Sequence, residues 1–428
     1  MRIGVVIGRA GGVDGVALEA EKWRSVLRKM GHDVFLLAGE YEGRAPDDSC
    51  EDLFAPLSFY GRECAYEQKQ AFFGGHSTPQ EFLSRLGANA EAVEEAIVSW
   101  VDRRQLELLI PENAGTLPFH ISMGLGLHRA VARLRMPVVA HHHDFAWERP
   151  GRYESNLPVV NDLVAEAFPL RGPTVRHAVL NSAARDELQS RLGVGAVVVP
   201  NVMDFDAPFA TCDDFNSTLR RDLRLSEDDT LLCQVTRVVR RKGIETAVQL
   251  VHRLKDPRVK LMITGSLTDD PGGAYVEELR QLVARLKLGS RVLFAHRYFG
   301  SVRSVSEAGN RRYSLSDAYA RADACTFFSN YEGFGNAFVE AVLARRPVFV
   351  NSYKPVYQRD IGALGFKTVQ LEDNQLTPEA VDCVASILAD PRERENLTEH
   401  NFALGRRHFS FDTLEDRLTE LLVDHPLA

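Results

Sequence analysis

Residues 329–350 read SNYEGFGNAFVEAVLARRPVFV, and they continue the apolar run ACTFFS at 324–329. A β-rich run that enters a glycine-rich turn, becomes an amphipathic stretch and then meets another apolar run has the pattern of strand, tight turn, helix and strand. Strands alternating with helices in this way lie parallel, in a sheet covered on both faces. Outward from this stretch the alternation repeats: LLCQVTR, KLMITG and RVLFAH precede it, and FKTVQL follows. An earlier series, IGVVIG, DVFLLA, LELLIP, PVVAHH, HAVLN and AVVVPN, is interleaved with helical patterns such as EAEKWRSVLRKMG and AARDELQSRLG.

The two series are separated after Pro200 and Asn201 by the acidic, loop-like MDFDAPFATCDDFNSTLRRDL. A chain of 428 residues, 45% of them hydrophobic, exceeds what one core usually organises. The expected architecture is α/β, with two doubly wound Rossmann-like domains at 1–203 and 204–407. A terminal helix at 408–428 has Leu414, Leu418, Leu421 and Leu422 on one face and Ser410 at its N-cap position. The stretch 44–90, rich in glycine, phenylalanine and charge, reads as an insertion in the first domain.

Net charge −8 and a pI near 5.9 give no basic field for nucleic acid, and no Lys/Arg-rich amphipathic stretch suits an anionic membrane surface. No run of 18 apolar residues occurs, and the start MRIGVVIG lacks the order of a signal peptide, so the expectation is a cytoplasmic protein with a small soluble partner. The six cysteines are scattered without metal-ligand spacing and read as reduced and structural.

Open parallel sheets bind ligands beyond the carboxyl ends of their strands. After the first strand, VVIGRAGGVDG supplies Gly8, Gly11, Gly12 and Gly15, a backbone able to approach an anion or to make an ordinary turn. After the first strand of the second series, VTRVVRRKG brings Arg237 and Lys242, two cations suited to a diphosphate, although such runs are often solvated surface. In the opening stretch, helix amides from about Asn336 suit a phosphate, and Glu332 and Glu340 flank the turn with seven residues between them. HHHDFAWER at 141–149 is either a metal site, a general-base site or the polar rim of a strand.

Taken together, Arg237, Lys242 and Gly243, then EGF-G-x4-EA from Glu332 to Ala341, then Pro347 and Val348, resemble the retaining glycosyltransferases of family four, which have the GT-B fold. PNVMDF at 200–205, with Val202 where that family usually has glycine, and SLSDAYARADACTFFS at 314–329 extend the resemblance over nearly the whole chain. It implies two Rossmann-like domains with a cleft between them and a nucleotide diphosphate sugar, of UDP-glucose or GDP-mannose type, as donor. Arg237 and Lys242 would neutralise the diphosphate, Glu340 would hold the ribose and Glu332 the donor sugar. Amides at Phe334, Gly335, Asn336 and Ala337 would complete the cradle, with Gly12 facing the donor and Arg297 near the base. His143 and Asp144 match the family's His-Asp pair, His143 directed toward the donor sugar. Asp144, Trp147, Glu148 and Arg149 would line the acceptor site or form an ion-paired turn. The expected acceptor is a soluble sugar, sugar phosphate or polyol-like acid, or alternatively a lipid-linked or polysaccharide chain.

No metal and no cofactor are expected. Adjacent histidines on a strand diverge, Asp204 and Asp206 lie away from the phosphate cradle, and the resemblance implies a metal-independent front-face transfer with retention. Rival readings are a nucleotide-sugar epimerase, a silent nucleotide-sugar-binding module, and a dinucleotide dehydrogenase using Glu40, which lacks the required glycine spacing.

Overall fold

A computed structural model describes residues 1–12, 14–270 and 272–423. The chain forms two compact units, Met1–Pro200 with the chain from Phe411, and Asn201–Ser410. Among the described residues the first unit contains a seven-stranded sheet: β1 (Arg2–Ile7), β2 (Asp33–Ala38), β3 (Glu51–Leu53), β4 (Leu108–Pro111), β5 (Val138–His142), β6 (Val175–Val179) and β7 (Val197–Val198). Their order across the sheet is β3-β2-β1-β4-β5-β6-β7, and all pairs are parallel. Strands β1, β4 and β5 are buried almost throughout, as continuous apolar runs require.

The second unit repeats the plan with β8 (Thr230–Gln234), β9 (Val259–Ile263), β10 (Val292–Phe294), β11 (Ala324–Phe327), β12 (Val348–Asn351) and β13 (Val369–Leu371). Its order is β10-β9-β8-β11-β12-β13, again parallel. In both sheets the strand order reverses beside the first strand, between β1 and β4 and between β8 and β11. At such a switch point successive crossovers leave on opposite faces, so the loops part and a ligand can reach backbone and side chains.

The stretch 44–90 is not an insertion. Glu51–Leu53 is an edge strand paired to β2, Arg62–Phe72 is a helix, and Pro79 opens a 26-residue helix, Pro79–Arg104. That helix packs on Ile121–Leu134, where Gly126 lets the two approach: a Cβ there would stand 2.5 Å from the Ala90 carbonyl oxygen. The glycines and charges of the segment hid its periodicity.

The terminal helix, Phe411–Val423, buries Leu414, Leu418 and Leu421, and lies against the helix Gly15–Lys29, where Lys29 pairs with Asp412 and Glu415 at 3.6 and 3.2 Å. Leu422 is half-buried, and Ser410 closes the preceding helix, Pro391–Phe409. Residues 424–428 of the expected terminal segment lie outside the described residues. All six cysteines are free thiols.

Candidate active site

The loops after β8 and β11 meet at the switch point of the second unit. Beyond β8 the chain runs through Arg237 to a 3-10 turn, Arg240–Lys242, which Gly243 ends with φ +58°. A Cβ on Gly243 would lie 2.1 Å from the Phe328 carbonyl oxygen, so only glycine lets this turn press against the end of β11. Gln234 stitches the two loops: its side chain donates to the Lys242 carbonyl at 2.9 Å and accepts from Thr326 at 2.9 Å. Asn330 N–H donates to the Arg241 carbonyl at 2.8 Å, and the Arg241 guanidinium donates to the Tyr331 carbonyl at 2.9 Å.

This stitching brings Lys242 and Glu332 together. The Lys242 ammonium donates to one oxygen of the buried Glu332 carboxylate, and Arg241 reaches the other at 2.7 Å. Burial pushes the Glu332 carboxyl up, but Lys242 and Arg241 more than offset it, and the group lies below the ordinary carboxylate range. Burial lowers Lys242, and Arg241 and Arg237 add to that against the pull of Glu332. Arg237 itself is exposed and makes no side-chain hydrogen bond or ion pair among the described residues. Two cations therefore share one carboxylate, with Arg237 close enough to Lys242 to repel it, so the group carries net positive charge of the kind that suits an anion.

Glycine 335 turns the chain into the helix Asn336–Leu343 at φ +126°, and a Cβ there would stand 2.3 Å from the Tyr353 hydroxyl. The amides of Asn336 and Ala337 are at the helix start, where no intrahelical acceptor exists. Phe334 is buried against Phe409, and Asn336 accepts from Asn201 at 2.8 Å. One turn inside, Glu340 accepts from the Tyr319 hydroxyl at 2.7 Å. Arg297 lies apart from this group, exposed after β10 and stacked on Tyr298 at 4.9 Å.

At the switch point of the first unit, the loop after β1 turns at Gly11 and Gly12 with φ +80° and +70°, where Gly12 lies against the Glu42 side chain. Residues after β4 and β5 face the same end. Asn113 accepts from the His143 amide at 3.1 Å and donates to Asp144 at 3.2 Å, and Arg149 pairs with Asp144. Asn113, Asp144 and Arg149, with Arg9, Asp14 and Tyr60, line a cavity of 290 Å³. Arg9 stacks on Tyr60 at 4.4 Å and pairs with Glu42 at 3.2 Å. Glu148 caps its own turn by accepting from the Phe145 amide at 3.0 Å, and Trp147 stacks on Phe145 at 4.4 Å beneath Arg191. Both contacts help to form this turn, and Trp147 also lines a separate cavity with Thr116, Tyr153 and Phe168.

The histidine run alternates across the sheet, but His141 and His143, two residues apart, share a face. Glu112, the residue after β4, joins them. The nearest approach to a metal-ligand set among the described residues is this group, whose donor atoms lie within 4.8 Å of one another. Its closest contacts, 2.5 Å from His143 Nε2 to one Glu112 oxygen and 2.9 and 3.0 Å from His141 Nδ1 to that oxygen and the other, are those of hydrogen bonds. Ligand atoms held tetrahedrally at ~2.1 Å from one zinc ion would stand roughly 3.4 Å apart. On the other face His142 bridges Thr116 at 2.7 Å and His177 at 3.0 Å, and burial holds both imidazoles down, His177 to about 4. Asp204 caps a turn by accepting from the amides of Asp206 and Ala207, while Asp206 pairs at 2.7 Å with Arg406 of the helix Pro391–Phe409. Glu40 accepts from Ser58 at 2.6 Å.

Arg241, Glu112, Asn113 and Tyr319 join the candidate site without having individual roles in the sequence reading. Glu112 and Asn113 nevertheless open the stretch ENAGTLPFH at 112–120, which reads from the sequence as helping to set acceptor choice, and Tyr319 lies in the quoted 314–329 segment. Arg241 sat inside the quoted basic run, and Glu112 is the first residue after a strand, which are two further signals.

The profile of the family described as glycosyl transferases group 1 matches residues 215–402, the part that holds Lys242, Glu332 and Glu340. Mannosylglucosylglycerate synthase of Thermotoga maritima is 32% identical over 454 aligned residues, covering 98% of this chain and 99% of the relative. The chain belongs to the group 1 glycosyltransferases. The protein of the same description from Petrotoga mobilis is 30% identical, covering 96% of this chain and 98% of that one. Among solved structures, Anabaena HepE in complex with UDP aligns over 99% of this chain and all of that one, with TM-score 0.64 and 16% identity. WaaG, a glycosyltransferase involved in lipopolysaccharide biosynthesis, aligns over 98% and 99%, with TM-score 0.62 and 13% identity. These two likenesses establish the GT-B fold for this glycosyltransferase, whose expected family four character rested on the same segments. Among its described residues no helix is long and apolar enough to cross a membrane.

Proposed function

We propose that this glycosyltransferase moves a mannosyl group from its nucleoside diphosphate to a small sugar acid, a glucosylated glycerate, with retention of anomeric configuration and without a metal ion. The observation that carries the reaction class is the Lys242–Glu332–Arg241 cluster at a switch point, beside the amide-rich start of the helix Asn336–Leu343. The substrate assignment draws on the full-length likeness to two mannosylglucosylglycerate synthases.

The division of labour follows from charge. Bond breaking leaves extra negative charge on the diphosphate, and cations held in place before the reaction stabilise it without reorganisation. Lys242 and Arg237 take that role, and Arg241 joins them. In the free protein Glu332 pairs with both Lys242 and Arg241 and offsets one of their two charges, so donor diphosphate competes with a carboxylate already in place. Glu332 then hydrogen-bonds hydroxyls of the transferred sugar, and Glu340, oriented by Tyr319, binds the ribose. The acceptor binds in the first unit, at the cavity lined by Arg9, Tyr60, Asn113, Asp144 and Arg149. The departing diphosphate oxygen takes the acceptor proton, so no separate general base is needed.

Incubation of the purified protein with UDP- and GDP-sugars, with and without glucosylglycerate, tests the reading. Mass spectrometry identifies the product and NMR its anomeric configuration. An α-linked product from an α-linked donor is expected. Conversion of the donor into another nucleotide sugar with no acceptor present supports an epimerase and overturns it.

A further inference from the structure

Glu112 is a fully buried carboxylate at the carboxyl end of β4, held there by its amide, which donates to the Val6 carbonyl at 2.8 Å. A buried carboxylate is costly unless its lone pairs are filled. Two imidazoles fill them: His143 Nε2 lies 2.5 Å from one oxygen, and His141 Nδ1 sits between the two, 2.9 Å from that oxygen and 3.0 Å from the other. The two histidines are not equivalent. His141 is fully buried, stacked on Trp23 at 4.1 Å, and its Nε2 has no partner, so it carries a single proton, on Nδ1, donated to Glu112. His143 has 9% of its side chain exposed, and its Nδ1 makes no hydrogen bond among the described residues. It stands beside Asn113 and Asp144, which line the 290 Å³ cavity.

We infer that Glu112 is a positioning residue: it fixes His143 with Nε2–H turned inward to the carboxylate and Nδ1–H presented to a substrate hydroxyl. The role in transfer rests on the glycosyltransferase reading above. The imidazole needs to be protonated on both nitrogens for this, and its surroundings favour that. Burial alone would lower His143, but its hydrogen bond and attraction to Glu112, with added attraction from Glu19 and Asp144, raise it above the ordinary histidine value. The opposing neighbours are the imidazoles of His141 and His142, both lowered by burial and therefore neutral near pH 7. Glu19 is shared with Lys22 at 3.0 Å and Asp144 with Arg149, which leaves Glu112 as the dominant partner.

The sign follows directly. A raised value means the doubly protonated, donating form persists to higher pH and is lost as pH rises through it. Replacing the carboxylate by an uncharged amide moves that loss to lower pH.

The experiment uses the full chain labelled with 15N-histidine, titrated by NMR in the wild type, Glu112→Gln and Glu112→Asp, with His143→Ala to assign the resonance. In the wild type His143 is expected to titrate above 6.5, the value of a free imidazole. Glu112→Gln is expected to lower the titration point, and Glu112→Asp to restore part of it. Transfer kinetics on the same variants should show kcat in Glu112→Gln reduced at least about tenfold at pH 7.5, with the alkaline limb moved to lower pH and the donor KM little changed. An unchanged His143 titration in Glu112→Gln overturns the inference. So does a wild-type His143 that is neutral at pH 6.5, an observation that stands even if Glu112→Gln does not fold. If no acceptor is glycosylated yet the titration moves as expected, the coupling stands and it is the transferase reading that fails.

Discussion

Lys242 and Glu332 show how one contact can serve two states. In the free protein their ion pair, shared with Arg241, leaves excess positive charge at the site; on the proposed reading the lysine faces a diphosphate instead in the transfer step. Lys242→Ala should therefore lower kcat by on the order of 100-fold or more while the unfolding temperature changes little, as measured by initial rates beside thermal denaturation. Arg237→Ala should act in the same direction. Arg241→Ala should be milder, because Lys242 remains on the carboxylate. The two glutamates should separate by titration calorimetry with free nucleoside diphosphate. Glu340→Gln weakens its binding, since ribose is present in product and donor alike. Glu332→Gln leaves it no weaker and lowers the transfer rate. If both mutants lose nucleoside diphosphate equally, Glu332 does not touch the transferred sugar. At this scale the sequence showed the residues but not their pairings: Glu332 lies 90 positions from Lys242, and only the adjacency of β8 and β11 makes them neighbours.

At the scale of elements, the start of the helix Asn336–Leu343 depends on one backbone conformation. Gly335→Ala places a Cβ at φ +126°, 2.3 Å from the hydroxyl and 3.0 Å from the ring of buried Tyr353. A loss of about 2 kcal/mol or more is expected from chemical denaturation. Gly289→Ala, where a Cβ would meet nothing within 4 Å, is the control and should be nearly neutral. The terminal helix offers a second test: Leu418 is 1% exposed, and Leu418→Ala should cost about 3 kcal/mol. The opening stretch, strand, glycine turn and helix, was legible because its glycines and its periodicity agree. The segment 44–90 was not. Its edge strand is three residues long, and its helices carry charges on broad exposed faces, so neither period stood out.

Taken as a whole molecule, the enzyme should work without a divalent ion. Preincubation with EDTA followed by assay, with magnesium, manganese and zinc restored in separate arms, is expected to leave the rate unchanged. Loss with recovery on one metal would reassign the Glu112–His141–His143 group as ligands.

Both series of strands, their parallel direction and the division near residue 200 follow from the sequence itself, because hydrophobic period and glycine placement are local properties that each segment carries independently. The family resemblance was legible for the same reason, since its motifs are short, contiguous and fixed in order. The tertiary structure alone decided what surrounds His143. His141 and His143 were visible as a run, but the carboxylate that orients them comes from β4, 29 and 31 positions away. Strand order set that meeting, and strand order is fixed by how helices cover both faces of a sheet, which no single segment records.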